Sequence, residues 1–402
     1  MLAEMPSTLV KLQSIFSRCM SKVPEGIRRA LVPFLLSRFI IVATFASVAF
    51  VANVPTAEWG RNDNIFVKLN RENITAGLQR VAIVNDAAWH IGIAQHGYEK
   101  RPFDTSRQAN WAFFPLHPML WNAASKPTGE WLWSGLLLAN LWAFAGLSML
   151  WHLVRKLADS RERADDAVLF AAFWPTSYFM SLPQTEAMFF ALVTLSFLMA
   201  LSQRWWIAAV GGMLAGATRF NGMFLLPSLF LEWFKGKRDL RQLAALGLIP
   251  LGLAGFMAYL WVITGNPMAF KDIQIAWGRQ LTVPWTPLMD AFNYLNRIAA
   301  PWNPRLLNLV TTLLAIASAV ACWRRRWYSL AVFTALTLLA PLSTGTLMSI
   351  TRYLGVAPGI YLMLAVWAGE HRRLGQLWLV FLAMSQILLC AAFAAGVNIG
   401  GA

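Results

Sequence analysis

The chain has 402 residues, 57% of them hydrophobic and only 13% charged, where an ordinary soluble domain is about half apolar and a quarter charged. With 20 tryptophans and 26 phenylalanines carrying the aromatic load of a membrane interface, this excludes a disordered chain, a disulfide-stapled scaffold and a soluble cytosolic enzyme. The formal charge of +15 is assigned to cytoplasmic loops obeying the positive-inside rule rather than to nucleic acid.

Residues 1–30 are basic, with Lys11, Arg18, Lys22, Arg28 and Arg29, and show no short apolar core ahead of a cleavage site. They are expected on the cytoplasmic side, before a first span at Leu31–Val54. Residues 55–130 balance both charge signs and form the expected large outer loop. Within it Val81–Lys100 places Ile83, Ala87, Ile91 and Ala94 at helical steps, which predicts an amphipathic helix on the membrane surface. Asp86 lies in its first turns. A carboxylate there either takes a proton from a hydroxyl or simply favours the helix N-terminus by about 0.3–1 kcal/mol. Trp89 and His90 follow one turn later. The run WAFFPLHPMLW, Trp111–Trp121, carries two prolines among aromatics and reads as a bent interfacial element. Its His117 either binds a phosphate or sugar hydroxyl or caps a buried turn.

A helical bundle is expected over 131–395, with spans at Trp131–Val154, Val168–Leu182, Ala187–Ser202, Leu243–Ile263, Leu306–Cys322, Trp327–Leu342, Tyr353–Gly369 and Leu377–Ala395. Trp205–Phe234, taken as one helix, would bury Arg219 in hydrocarbon at about 2.5–3.5 kcal/mol. Two limbs turning at Arg219, Phe220 and Asn221 avoid that and return the basic run Lys235–Arg241 to the cytoplasm. The result is one integral membrane domain, 1–402, with about eleven crossings.

This topology gathers the remaining polar residues on the outer face. They are Gln184 and Glu186 in SLPQTEAMFF, Arg219 and Asn221 in ATRFNGMF, Arg279 in AWGRQ, and Arg352 with Tyr353 in SITRYLG. Two outward arginines need partners. Guanidinium forks grip phosphate bidentately, and ion pairs with Glu186 or Asp86 serve equally. Asn221, Glu186 and Gln184 are candidates for positioning a sugar or a guanidinium group. Trp89 and Trp111 are candidate stacking surfaces, and Arg279 packs on a sugar or anchors at the interface. His90, His96 and His117 match no zinc spacing, and Cys19, Cys322 and Cys390 form neither a metal motif nor a disulfide framework.

The order of these motifs resembles the PIG-V-like membrane mannosyltransferases: an Asp before a GY-containing helix, then FFPLHP, the T-E-A turn, TRFNG, TGNPMAF…AWGR and TRY…P. The likeness runs from about Asn85 to Pro358. It implies a GT-C fold, a polyprenyl- or dolichyl-phosphate sugar donor, a lipid or glycan acceptor, an active site on the non-cytoplasmic face and an essential acid in the first large loop, here Asp86. It implies no cofactor beyond the lipid-linked sugar, and a bacterial inner-membrane setting with the site facing the periplasm. His117 departs from the FFPLYP of many relatives. The competing reading is a lipid-linked-sugar flippase without chemistry, which calls for polar residues through the membrane depth and an internal repeat; the sequence shows neither.

Overall fold

The computed structural model describes residues 23–51, 71–294, 304–347, 349–397 and 399. The basic stretch at 1–22, with Cys19, the start of the outer loop at 52–70 and residues 295–303 lie outside the described residues. The described residues are helices and turns without a strand. In order, α1 (Glu25–Val51) leads into the outer-loop helices α2 (Arg71–Ala82), α3 (Asp86–His96) and α4 (Leu116–Ser125). The bundle follows as α5 (Trp131–Ala158), α6 (Arg161–Ala172), α7 (Glu186–Leu201), α8 (Trp205–Gly216), α9 (Leu225–Lys235), α10 (Leu240–Leu246) and α11 (Ile249–Thr264). Short α12 (Ala269–Asp272) and α13 (Thr286–Tyr294) precede α14 (Pro304–Arg324), α15 (Tyr328–Leu342), α16 (Ile350–Leu354), α17 (Pro358–Glu370) and α18 (Arg372–Ala394). Among the described residues, five segments are long and apolar enough to cross a membrane: Glu25–Val48, Trp131–Ala158, Leu240–Thr264, Leu306–Arg324 and Arg372–Ala394. The chain is an integral membrane protein.

Helix α7 is apolar on every side, so it is driven to the centre. All but a few of its residues are buried, and it packs between α5 and α8. The basic loops meet at one end of the bundle. Arg161 pairs with Glu25 at 3.3 Å, Arg29 with Asp165 at 3.1 Å and Arg372 with Asp166 at 2.7 Å, and Lys235 Nζ donates to the Arg326 carbonyl at 2.8 Å. Such exposed pairs stabilise little, about 0–1 kcal/mol each. The polar residues around Asp86, Glu186, Arg219 and Arg352 meet at the opposite end. Among the described residues, eleven helical segments, counting α10–α11 as one, make up the bundle: α1, α5–α9, α10–α11, α14, α15, α17 and α18.

The turn at Arg219 is real. Arg219 reaches Glu186 at the start of α7, while Gln242, beyond α9, donates to Gln203 Oε1 at 3.4 Å past the end of α7. Thus α8 and α9 run in opposite directions, joined by the 3-10 turn Phe220–Phe224. Gly222 sits so tightly in that turn that a Cβ would come within 2.3 Å of the Ala215 and Gly216 backbone.

Three expectations change. The span Val168–Leu182 is no single helix: α6 ends at Ala172, and residues 173–185 form a buried irregular stretch holding a short 3-10 turn, Ser177–Met180. Pro175 and Pro183 explain the break, because a proline has no N–H and disfavours helix in the residue before it. Irregular backbone survives at this depth only where protein satisfies it. Gln386 of α18, fully buried, does so by donating to the Ala172 carbonyl at 3.0 Å and to Ser177 Oγ. Gln386→Leu is expected to cost about 1–3 kcal/mol, the penalty for buried acceptors left unpaired; a thermal unfolding curve in detergent that matched wild type would count against this role.

Second, the span Leu243–Ile263 lies as expected within Leu240–Thr264, but its helix is interrupted at Gly247 and Leu248, with Pro250 in the first turn of α11. Third, the helix expected within Val81–Lys100 is shorter, spanning Asp86–His96, so Ile83 lies before it and Ile91 is only half-buried. The buried face of α3 is Ala87, His90, Ile93 and Ala94, turned onto α4 and the preceding aromatic run.

Candidate active site

Three separate parts of the chain deliver the site. Asn85 takes a positive φ of 55°, a conformation asparagine adopts more readily than most residues, and the sharp bend starts α3 at Asp86. The irregular stretch after α6 ends on Gln184, Thr185 and Glu186, with Glu186 in the first turn of α7, where the helix dipole favours an acid. Arg219 stands in the α8–α9 turn. Arg352 comes from the short helix α16, whose Thr351 N–H donates to Asn308 Oδ1 of α14 at 3.4 Å.

Arg352 binds everything around it. Its Nη2 donates to Asp86 Oδ2 at 2.6 Å, to Gln184 Oε1 at 2.7 Å and to Glu186 Oε1 at 2.6 Å, and its Nε donates to Glu186 Oε1 at 2.9 Å. Its guanidinium also lies over the Phe179 ring, 4.4 Å from the centroid. Arg219 Nη2 donates to the same Glu186 oxygen at 2.6 Å, and its Nε to Thr185 Oγ1 at 2.7 Å. Side-chain exposures of 6% for Arg352 and 2% for Glu186 make this a buried network, whereas Asp86 remains 36% exposed.

These contacts set the charges. Burial pushes the Asp86 carboxyl up, but the Arg352 charge, its hydrogen bond and the nearby Arg219 outweigh that and hold it below the ordinary aspartate range. Arg352 is in turn held more firmly protonated: burial works against its charge, and Asp86 and Glu186 overcome it. His90 is driven well below the usual histidine value by burial and by His117, and burial brings His117 down to about 4. Both imidazoles are therefore neutral near pH 7. Arg279 stands nearby, its Nη1 3.5 Å from the Tyr353 hydroxyl and 3.1 Å from Gln274 Oε1, and its charge lowers the Tyr353 phenol. Tyr353 also lies under the Arg219 guanidinium, at 5.5 Å.

An aromatic wall flanks Asp86. Trp89 stacks on Phe113 at 5.5 Å and meets Trp277 edge-on at 5.9 Å, while His90 meets Phe113 and His117 edge-on at 5.3 Å and 5.2 Å. Asn221 is buried in the 3-10 turn just after Arg219. The structure thus brings together Asp86, Trp89, His90, His117, Gln184, Glu186, Arg219, Arg279, Arg352 and Tyr353. It leaves Trp111 apart. That indole is fully buried beside Phe103, donates to the Glu99 carbonyl at 2.8 Å and carries the Arg101 guanidinium on its face, so it presents no surface for a sugar. Arg352 also differs from an open phosphate clamp, because its Nε and Nη2 donate to two carboxylates and an amide.

Sequence reasoning missed Thr185 and Phe179, which neighbour the named TE and SLPQ residues. It also passed over Arg38, a charge inside the first apolar span, which is buried and donates to Ser37 Oγ and Ser181 Oγ. Among the described residues, no group of three or more His, Cys, Asp or Glu is arranged to hold a metal ion.

No protein-family model matches the chain, and no curated protein matches it. Solved structures do. ArnT from Cupriavidus metallidurans, bound to undecaprenyl phosphate, superposes with a TM-score of 0.50 at 10% identity, over 92% of this chain and 76% of that one. The protein has the GT-C fold. The oligosaccharyltransferase of Archaeoglobus fulgidus, solved with a tethered acceptor peptide containing the NVT sequon, matches 93% of this chain at 12% identity and a TM-score of 0.44; the chain spans 56% of its length. In this GT-C chain, Asp86 comes from the region between the first long helix and the bundle, and the basic loops close the opposite end.

Proposed function

We propose that the protein is a membrane glycosyltransferase. It moves a hexose from a polyprenyl-phosphate donor to a hydroxyl of a lipid- or glycan-linked acceptor on the non-cytoplasmic face, which in a bacterial cell is the periplasmic side of the inner membrane. The observation that carries this reading is the ionised, partly exposed carboxylate of Asp86, fixed by Arg352 at the end of the bundle opposite the basic loops. Positive-inside sorting supports that orientation, and the ArnT likeness, with its bound lipid phosphate, supports the donor class. The order of PIG-V-like motifs supports mannose as the hexose.

The acceptor oxygen attacks the anomeric carbon from the side opposite the phosphate, so the configuration inverts. The C–O bond to the phosphate breaks, and its electron pair leaves on the lipid phosphate. The hydroxyl proton passes to Asp86 and then to water. An aspartate this acidic takes the proton late, once bond formation has acidified the hydroxyl. Positive charge rather than a general acid stabilises the departing phosphate.

Purified protein incubated with synthetic polyprenyl-phosphate sugars and candidate acceptors is expected to add one hexose mass to an acceptor. Release of polyprenyl phosphate without a glycosylated product marks hydrolysis instead, and movement of intact donor across vesicles without bond exchange marks a flippase. The pH profile follows from the charges. Asp86 is lowered, so it keeps its basic form down to its folded pKa, below the ordinary value of about 3.9. The rate is therefore expected to hold level from about pH 5 to 8, since neither Asp86 nor the two neutral histidines titrates there. An acid limb near pH 6.5 would assign the base to a different group.

A further inference from the structure

Next to the ion cluster lies a group of buried polar atoms that the displacement does not use. His117 is fully buried; one edge faces the Pro183 carbonyl, yet neither ring nitrogen meets a partner at hydrogen-bonding geometry. His90, 3% exposed, leaves Nδ1 unpartnered, and the two rings lie 5.2 Å apart. Gln184 Nε2, Glu186 Oε2 and Arg219 Nη1 are likewise buried without a partner among the described residues. These atoms arise from α3, α4, the stretch entering α7 and the α8–α9 turn. They share one neighbourhood, since His117 feels the charges of Glu186 and Arg219 while His90 feels His117, Asp86 and Arg219. Buried polar atoms are nearly always paired, so such a concentration calls for a polar occupant.

Charge and hydrogen-bond character identify that occupant. Asp86 and Glu186 offset Arg219 and Arg352 one for one, so the cluster is electrically neutral and a phosphate would enter it as an unmatched anion. A neutral imidazole offers one donor and one acceptor, the amide of Gln184 and Arg219 Nη1 are donors, and Glu186 Oε2 is an acceptor. A hydroxyl both donates and accepts and so satisfies this set, whereas phosphate oxygens only accept. A third cation, Arg279, stands beside Tyr353 at the edge of the cluster.

We propose that His117, His90 and Gln184 form a hydroxyl-recognition subsite that reads the sugar ring of the donor, with His117 the specificity-determining residue, while the donor phosphate is held outside it by Arg279. This rests on the glycosyl-transfer reading. It divides the donor between two places: a neutral inner set that selects the sugar and an outer cation that holds the lipid phosphate.

The test compares wild type, His117→Ala and Gln184→Ala on the full donor and on a series of donors each lacking one ring hydroxyl, all on the same lipid phosphate. Wild type is expected to lose about 10–100-fold in kcat/KM on one deoxy donor. His117→Ala is expected to show a similar loss on the full donor and no further loss on that deoxy donor. Arg279→Gln is expected to raise KM for every donor by the same factor and leave the discrimination intact. Losses of His117→Ala and of the missing hydroxyl that simply multiply for every donor would overturn the proposal and leave ordered water only at these atoms. If His117→Ala does not fold, Gln184→Ala carries the same comparison. Wild-type protein that transfers no sugar at all defeats the reaction reading. Donor binding, followed by tryptophan fluorescence across the same deoxy series, then decides the subsite separately: unequal affinities that His117→Ala levels support it, and equal affinities overturn it.

Discussion

Asp86→Asn is expected to slow sugar transfer by about 10²–10⁴-fold, the range a positioned general base contributes. The change keeps shape and polarity, and a third of this side chain already faces outward, so insertion and folding should survive it. The amide still accepts a hydrogen bond from Arg352 through its oxygen, but it cannot take a proton from the acceptor. The loss should therefore fall on kcat, with donor affinity close to wild type. Purified Asp86→Asn protein turning over at a near-normal rate would remove Asp86 from the chemistry. Asp86→Glu offers a finer measure: it restores the charge but lengthens the arm, and a partial recovery would show how closely the carboxylate must be placed.

Arg352→Ala is expected to do more, because it strikes the fold and the reaction together. Arg352 donates to Asp86, Gln184 and Glu186 together. Its removal leaves Glu186 to Arg219 alone and releases Asp86. Breaking a buried pair by deleting one partner costs about 3–5 kcal/mol, since the remaining charge stays desolvated. A large drop in thermal stability in detergent should accompany loss of transfer. Arg352→Lys keeps the charge but cannot fork between the two carboxylates, so it should recover stability more than activity. Unchanged stability in Arg352→Ala would show that Arg219 alone can satisfy Glu186.

Much of this was legible in the sequence, for identifiable reasons. Composition and the sorting of basic loops revealed the all-helical membrane architecture, because lipid leaves few structures in which backbone polar groups are satisfied. The turn at Arg219 followed from the cost of a lone charge in hydrocarbon. The meeting of Asp86, Glu186, Arg219 and Arg352 followed from assigning their loops to one face. What stayed hidden is tertiary. The apolar run Val168–Leu182 looks like a span by hydropathy, yet its prolines and the donors of Gln386, more than 200 residues away, allow it to leave the helix. The buried face of α3 turns on His90 because an aromatic partner awaits it, which no periodicity reveals. Trp111 was misplaced for a related reason: an aromatic beside an active loop looks like a platform until its own packing partners are known.

The break after Ala172 bears on how the protein is made. With twelve residues, α6 is about 18 Å long at 1.5 Å per residue, well short of the roughly 30 Å that a free-standing span must bridge. During synthesis it has no stable resting place of its own in lipid, and must stay against its neighbours until the carbonyls at its end are satisfied. The side chain that satisfies them, Gln386, lies more than 200 residues further along the chain. The irregular stretch that ends on Gln184 and Glu186 therefore cannot settle until α18 has been made, and chains interrupted before α18 would leave that backbone unpaired.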